Sequence, residues 1–255
     1  MRSFFAAILI FFALTTHGQQ TVYFSNDTSS ISKKKKKSSA ETNIIKIAPL
    51  SFLFGILPVF YERRISDLFS IQAGAGITIK NYMKDVVDQL EIGKVENEDY
   101  TFKWNGGNEG YIYDFASETQ KPKIKTGTFF SVQPRVYFDA EAMDGYYMGI
   151  SYENTSYKFS SRSIVTGGST SNPVSYNSNY VNEYDKYADI AVHFGGQTIY
   201  DRLSVEYSLG AAIRSKSSRR YIYGYDNNGN YIDGFADLKK SIPVGLFSFR
   251  VGYHF

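Results

Sequence analysis

The sequence predicts an all-β fold, a single antiparallel up-and-down barrel of about eight strands, and three observations carry that prediction. The first is the segment 243–255, where Gly245, Phe247, Phe249, Val251, Tyr253 and Phe255 alternate with Ser248, Arg250, Gly252 and His254. A period of two puts one set on each face of a strand, so one face is apolar and the other polar with a full charge. The second is that comparable segments recur along the chain. The third is that the connections between them alternate between short and long.

Taken in order, the segments are 44–53 and 56–65, joined tightly at Gly55, then 69–80, 128–138, 146–159, 187–198, 203–214 and the terminal strand. In 69–80, Phe69, Ile71, Ala73, Ala75, Ile77 and Ile79 share one face, and Ser70, Gln72, Gly74, Gly76 and Thr78 the other. In 128–138, Phe130, Val132, Pro134, Val136 and Phe138 oppose Ser131, Gln133, Arg135 and Tyr137. The phase of 146–159 slips near Asn154, where a bulge is expected. Segment 203–214 is as regular as the last, with Leu203, Val205, Tyr207, Leu209, Ala211 and Ile213 against Ser204, Glu206, Ser208, Gly210 and Arg214. Most of these segments have the length that a tilted strand needs to cross a hydrocarbon layer, about 9–11 residues or slightly more.

Short turns at 66–68, 139–145 and 199–202 contrast with long polar connections at 81–127, 160–186 and 215–242. This is the asymmetry of a transmembrane barrel, with short periplasmic turns and long extracellular loops. An even strand count then puts both chain ends on the short-turn side. On that topology Tyr61, Phe69, Phe138, Tyr146, Tyr253 and Phe255 form a periplasmic aromatic girdle on the lipid face.

Composition agrees. The chain has 22 Tyr and 20 Phe against 1 Trp, and no Cys. Without cysteine there is no thiolate metal site, disulfide or lipoprotein anchor. A net charge of +3 is too small to argue for a nucleic-acid partner. The longest apolar stretch, 48–61, is broken by Pro49, Gly55 and Pro58 and is too short for a helical span. Residues 1–18 read as a cleaved signal peptide: Arg2, an apolar run from Phe4 to Leu14, and small residues before a cut after Gly18. Residues 19–43, rich in Ser and Lys with a run from Lys33 to Lys37, read as a disordered periplasmic tail, and 44–255 as the barrel.

The segment KIAPLSFLFGILPVFYERRISDLFSIQAGAGITI (46–79), with its YER, turn, FSIQAGAG order, and the terminal VGYHF resemble small outer-membrane β-barrel proteins of Gram-negative, Bacteroidetes-type bacteria. The resemblance implies residence in the outer membrane, contact with its lipid, and insertion by the barrel-assembly machinery, whose recognition signal the terminal aromatic is similar to. Where such signals carry a glycine near the end, this chain has Arg250.

A narrow barrel has an interior that side chains fill. The inward charges Glu62, Arg64, Arg135, Glu153, His193, Glu206 and Arg250 are therefore expected to pair into a structural plug, Glu206 with Arg250 and Arg135 with Glu153. No catalytic, cofactor or metal site is expected. His193 has no serine beside it in AVHFGGQ, and the glycine that a calcium loop would need after Asp226, Asn228 and Asn230 is Tyr231. The stretch YIYGYDNNGNYIDGF (221–235) signals a hairpin, and 99–115 repeats the design about Asn105, Gly106 and Gly107. The expected function is that of a monomeric, non-enzymatic barrel with a structural role or a surface-interaction role through these loops. The alternatives are small-solute transport or an envelope-lipid-modifying enzyme.

Overall fold

The computed structural model describes residues 42–82, 100–105, 110–115, 121–138, 142–164 and 176–255. The expected signal peptide and almost all of the expected tail lie outside these residues. The strands are β1 (Asn43–Ile47), β2 (Ile56–Arg64), β3 (Phe69–Thr78), β4 (Tyr100–Trp104), β5 (Gly110–Phe115), β6 (Lys123–Tyr137), β7 (Gly145–Ile164), β8 (Tyr176–Tyr200), β9 (Leu203–Asp226) and β10 (Tyr231–His254). All pairings are antiparallel. Hydrogen bonding runs β10–β1–β2–β3–β6–β7–β8–β9 and returns to β10, so eight strands close a ring. Beyond the ring, β4 and β5 pair with the far halves of β10 and β9.

Closure follows from the first and last strands lying side by side. Ile44 to Ile47 pair with His254 to Val251. The Asn43 N–H donates to the Phe255 carbonyl at 3.2 Å, and the Phe255 N–H donates to the Asn43 carbonyl at 2.9 Å. Closing the ring removes the unpaired sheet edges that would otherwise template aggregation. Asn43, at the start of β1, and Phe255 sit with the short turns β2–β3, β6–β7 and β8–β9.

Three expectations need correction. The first strand ends at Ile47 instead of running to Leu53, and Pro49–Phe54 forms a 3-10 helix. Pro49 has no N–H to donate to a ladder and suits a helical first turn. Gly55 then takes φ 67° and donates to the Phe52 carbonyl at 2.9 Å, where a Cβ would sit 1.8 Å from the Lys80 carbonyl oxygen.

The segment 160–186, expected as a loop, is strand wherever it is described, and 215–242, expected as a long connection with a hairpin at 221–235, is strand throughout except at the hairpin tip. β7 to β10 run for 20, 25, 24 and 24 residues, well past the apolar band. The alternation persists there with polar or tyrosine side chains on both faces, so the contrast that marks a strand in sequence fades. The β9–β10 hairpin turns at Asn227 to Asn230, as its Asn-Gly tip predicts.

The third correction concerns 99–115. Its two strands form no hairpin with each other: they flank the β9–β10 hairpin on opposite sides. No helix among the described residues is long and apolar enough to cross a membrane, which says nothing of strands.

Candidate functional site

The ring is inverted relative to a globular protein. Leu209 is 56 % exposed, and Ile150, Ile190, Val192, Phe194, Ile213 and Phe247 are exposed with it. Glu206 and Arg135 are 0 % exposed and point inward. Each strand is apolar outside and polar inside because its side chains alternate, and the ladder register keeps like faces together from strand to strand.

At the short-turn end every ring strand sends a polar side chain into one network. Arg135 on β6 grips Glu206 on β9 through Nη1 to Oε2 at 3.0 Å and Nη2 to Oε1 at 2.9 Å, and reaches Glu62 on β2 at 3.2 Å. Lys46 on β1 donates to Glu62, to Glu206 and to the Gln197 side chain of β8. Arg250 on β10 donates to Glu206 and lies over the Phe60 ring, 4.6 Å from its centroid. Tyr137 donates to Glu62 at 2.8 Å, Tyr147 of β7 to Glu206 at 2.7 Å, and Ser70 of β3 to Glu62. Gln197 is fixed in turn by its donation to the Met143 carbonyl at 2.8 Å.

The two carboxylates are thus each shared among several donors. An unpaired charge buried here would cost several kcal/mol, so the shared arrangement is what makes the burial tolerable (roughly 3–5 kcal/mol for a broken pair).

Farther up the bore the contacts thin into pairs. Ser151 Oγ lies 2.8 Å from His193 Nε2, Ser131 donates to Glu153 at 3.4 Å, and Arg214 forks onto Asp189 at 2.8 and 2.7 Å. Phe60 and Phe129 pack edge to face at 5.9 Å with Ala48, an apolar patch inside the wall. Above these, Arg220 Nη2 donates to both carboxylate oxygens of Asp185 at 2.9 and 2.7 Å, and Glu183 accepts from Ser161 at 2.9 Å and from the Tyr221 N–H at 2.6 Å.

Of the charges read from sequence, the structure brings Glu62, Arg135, Glu206 and Arg250 together. Glu153 and His193 lie on the same inner face but outside that network. Arg64 instead stands at the short turn, half-buried, with its guanidinium on Asp67 at 2.7 Å. The contact between Glu206 and Arg250 is present. Arg135 does not pair with Glu153: its guanidinium reaches toward the short-turn end, where Glu62 and Glu206 offer two acceptors.

Sequence reading misses Lys46 altogether. The signal exists, since Ile45 and Ile47 flank it on the outer face, but it is masked when 44–53 is read as one apolar strand. The serine beside His193 is also invisible in sequence, because β7 and β8 bring Ser151 across from a distant segment. Tyr61, Phe69, Phe138, Tyr146, Tyr253 and Phe255 are all exposed on the outer wall at the short-turn end. Among the described residues no group of His, Cys, Asp and Glu is arranged to hold a metal ion.

The class defined by these features is a closed antiparallel barrel with an apolar skin and a hydrogen-bonded polar bore. No family model matches the chain. No curated protein matches it either. Among solved structures, the outer-membrane protease OmpT of Escherichia coli overlaps 84 % of this chain and 93 % of its own, at 11 % identity and a TM-score of 0.35, too loose a likeness to bear on function.

Proposed function

We propose that this chain is an integral outer-membrane β-barrel of a Gram-negative cell, non-enzymatic, closed by a salt-bridged plug, with a structural or surface-interaction role through its extended Tyr- and Asn-rich strands. The single observation that carries the reading is the inversion: greasy side chains face outward round the ring while Glu62, Arg135 and Glu206 are sealed within it. An apolar exterior of this extent suits lipid and not water. Because the start of β1 and the C-terminus lie with the short turns, that end belongs on the periplasmic side, and the six rim aromatics sit where hydrocarbon meets headgroups. Insertion would use the barrel-assembly machinery, and the unit would act as a monomer, since no sheet edge of the ring is left to pair.

The test is migration of the detergent-extracted protein on a gel with and without boiling. A membrane barrel runs compactly unboiled and shifts on heating, and a secreted soluble protein leaves membranes with a salt wash. Transport is the second reading. Glu62 and Glu206 each hold several cations, so partners could exchange within the plug. The sealed network favours closure, and silence in planar-bilayer recordings is expected.

The enzyme reading would rest on Ser151 and His193. Both are buried in the bore, and His193 Nδ1 faces the backbone of Gly210, with no carboxylate among the described residues bonded to it. A nucleophile needs substrate access and an oriented base. An unchanged envelope-lipid profile is expected for His193→Ala.

A further inference from the structure

The outer wall of β6, β7 and β8 carries its charge with one sign. Those strands hold four acids, Glu153, Glu183, Asp185 and Asp189, and all of them turn into the bore, where they bond to Ser131, to Ser161, to Arg220 and to Arg214. Apart from Arg135 at the short-turn end, the lysines and arginines of these strands face out. Lys125 stands directly opposite Lys158 in the β6–β7 register, and Lys186 pairs with Ser156, one outward position along from Lys158 on the same wall. All three are exposed. Lys125 donates to the Asn182 side chain at 2.6 Å, and Lys186 sits 4.5 Å from the Tyr184 ring centroid, so two of the three ammonium groups are held beside neutral neighbours. Farther along, Lys123 and Arg162 extend the patch.

Like charges placed directly opposite in a ladder are destabilising unless something neutralises them. The position of the patch says what does. On the same strands, toward the short turns, the outer wall is Phe130, Ile150, Tyr152 and Ile190, all exposed and apolar. The lysines therefore begin where the grease ends, at the long-connection edge of the band.

We infer that Lys125, Lys158 and Lys186 form a binding site for the phosphomonoester of an anionic membrane lipid, one whose phosphate charge no ammonium of its own balances, in the leaflet at the long-connection end. This rests on the membrane reading above. The three ammonium groups supply point charges to a phosphate, the exposed Asn182 side chain supplies a neutral hydrogen-bonding group, and the apolar wall below receives the acyl chains. A lipid fits better than a free anion because charge and hydrocarbon contacts are stacked in the order of headgroup and tail.

The experiment uses the full chain in nanodiscs of phosphatidylethanolamine alone or mixed with phosphorylated lipid A, with retained lipid weighed by native mass spectrometry. Each surface lysine near such a headgroup contributes about a fivefold preference, so Lys125→Gln/Lys158→Gln/Lys186→Gln should lose a selectivity on the order of a hundredfold. Removing the same charge at the other end, Arg63→Gln/Arg64→Gln/Arg202→Gln, should leave the preference intact. Excess inorganic phosphate should fail to displace the lipid; complete displacement would mean a free-anion site and overturn the assignment. Equal retention of both lipids by the natural protein, or equal loss in both triple variants, would also overturn it. Insertion into the phosphatidylethanolamine discs is scored separately. If no variant inserts, the membrane reading falls and takes this site with it, whereas insertion without preference for the anionic phosphomonoester lipid over phosphatidylethanolamine removes the site alone.

Discussion

Arg135 and Glu206 are joined across the bore by two parallel hydrogen bonds, 3.0 and 2.9 Å long, from strands that are not neighbours in the ring. A planar guanidinium matched to a carboxylate in this way fixes direction as well as distance. Because Glu206 also accepts from Lys46, Arg250 and Tyr147, one side chain ties together five strands.

Replacing Glu206 by Gln should therefore destabilise the barrel by about 3–5 kcal/mol, because three buried cations are left to share Glu62. Equilibrium unfolding of the protein in lipid vesicles by urea measures this. Adding Lys46→Met to the variant should recover part of the loss, since it removes one of the stranded charges. A loss below about 1 kcal/mol, the range of exposed ion pairs, would mean that the plug is solvated and weak.

The seam between β1 and β10 is the thinnest closure in the ring, only four register pairs long. Gly252 lies on it, facing inward. A Cβ there would stand 2.6 Å from Lys46 Cγ, 2.7 Å from the Ile45 carbonyl oxygen and 2.8 Å from Ile44 Cγ2. Gly252→Val should cost about 1–3 kcal/mol through overpacking, concentrated at the seam. The reading is the unboiled gel band: the variant should lose its compact form at a lower temperature than the natural protein. An unchanged transition would show that β1 and β10 close the ring with room to spare.

The hairpin tip depends on one carboxylate. Asp226 accepts from the Asn228 N–H at 2.9 Å and the Asn230 N–H at 2.8 Å, and from the Asn230 side chain at 3.1 Å. These donations, the Asn230 backbone first, hold its carboxyl below the usual range. A depressed folded-state value means the contribution is present above the unfolded value, about 3.9, and is lost as pH falls through the folded one. Amide exchange at Asn228 and Asn230 should thus be as protected at pH 5 as at neutrality, after correction for intrinsic rates, and lose protection only in stronger acid. Asp226→Ala should lose it at every pH.

Much of this architecture is legible in sequence wherever chemistry alternates strongly. Segments such as 203–214 show it, because Leu209 and Glu206 demand opposite surroundings. Legibility fails in two physical situations. Where both faces turn polar, as from Ser215 to Arg220, alternation no longer carries information even though the ladder continues. Where an apolar run hides a proline, as at Pro49, period and backbone disagree, and Lys46 is lost with the misplaced strand end. The pairing of Arg135 with Glu206 and Glu62, instead of with its β7 neighbour Glu153, depends on where long side chains lean within the bore, which strand periodicity leaves undetermined.

The central claim is that grease faces outward and charge inward round one closed ring. The absence of cysteine allows single labels to be placed freely. Fluorophores attached at Leu209→Cys, Ile213→Cys or Phe247→Cys, in vesicles of brominated lipid, should be strongly quenched, and those at Ser208→Cys or Ser248→Cys should not. Quenching that ignores this alternation, or that favours positions 208 and 248, would contradict the account.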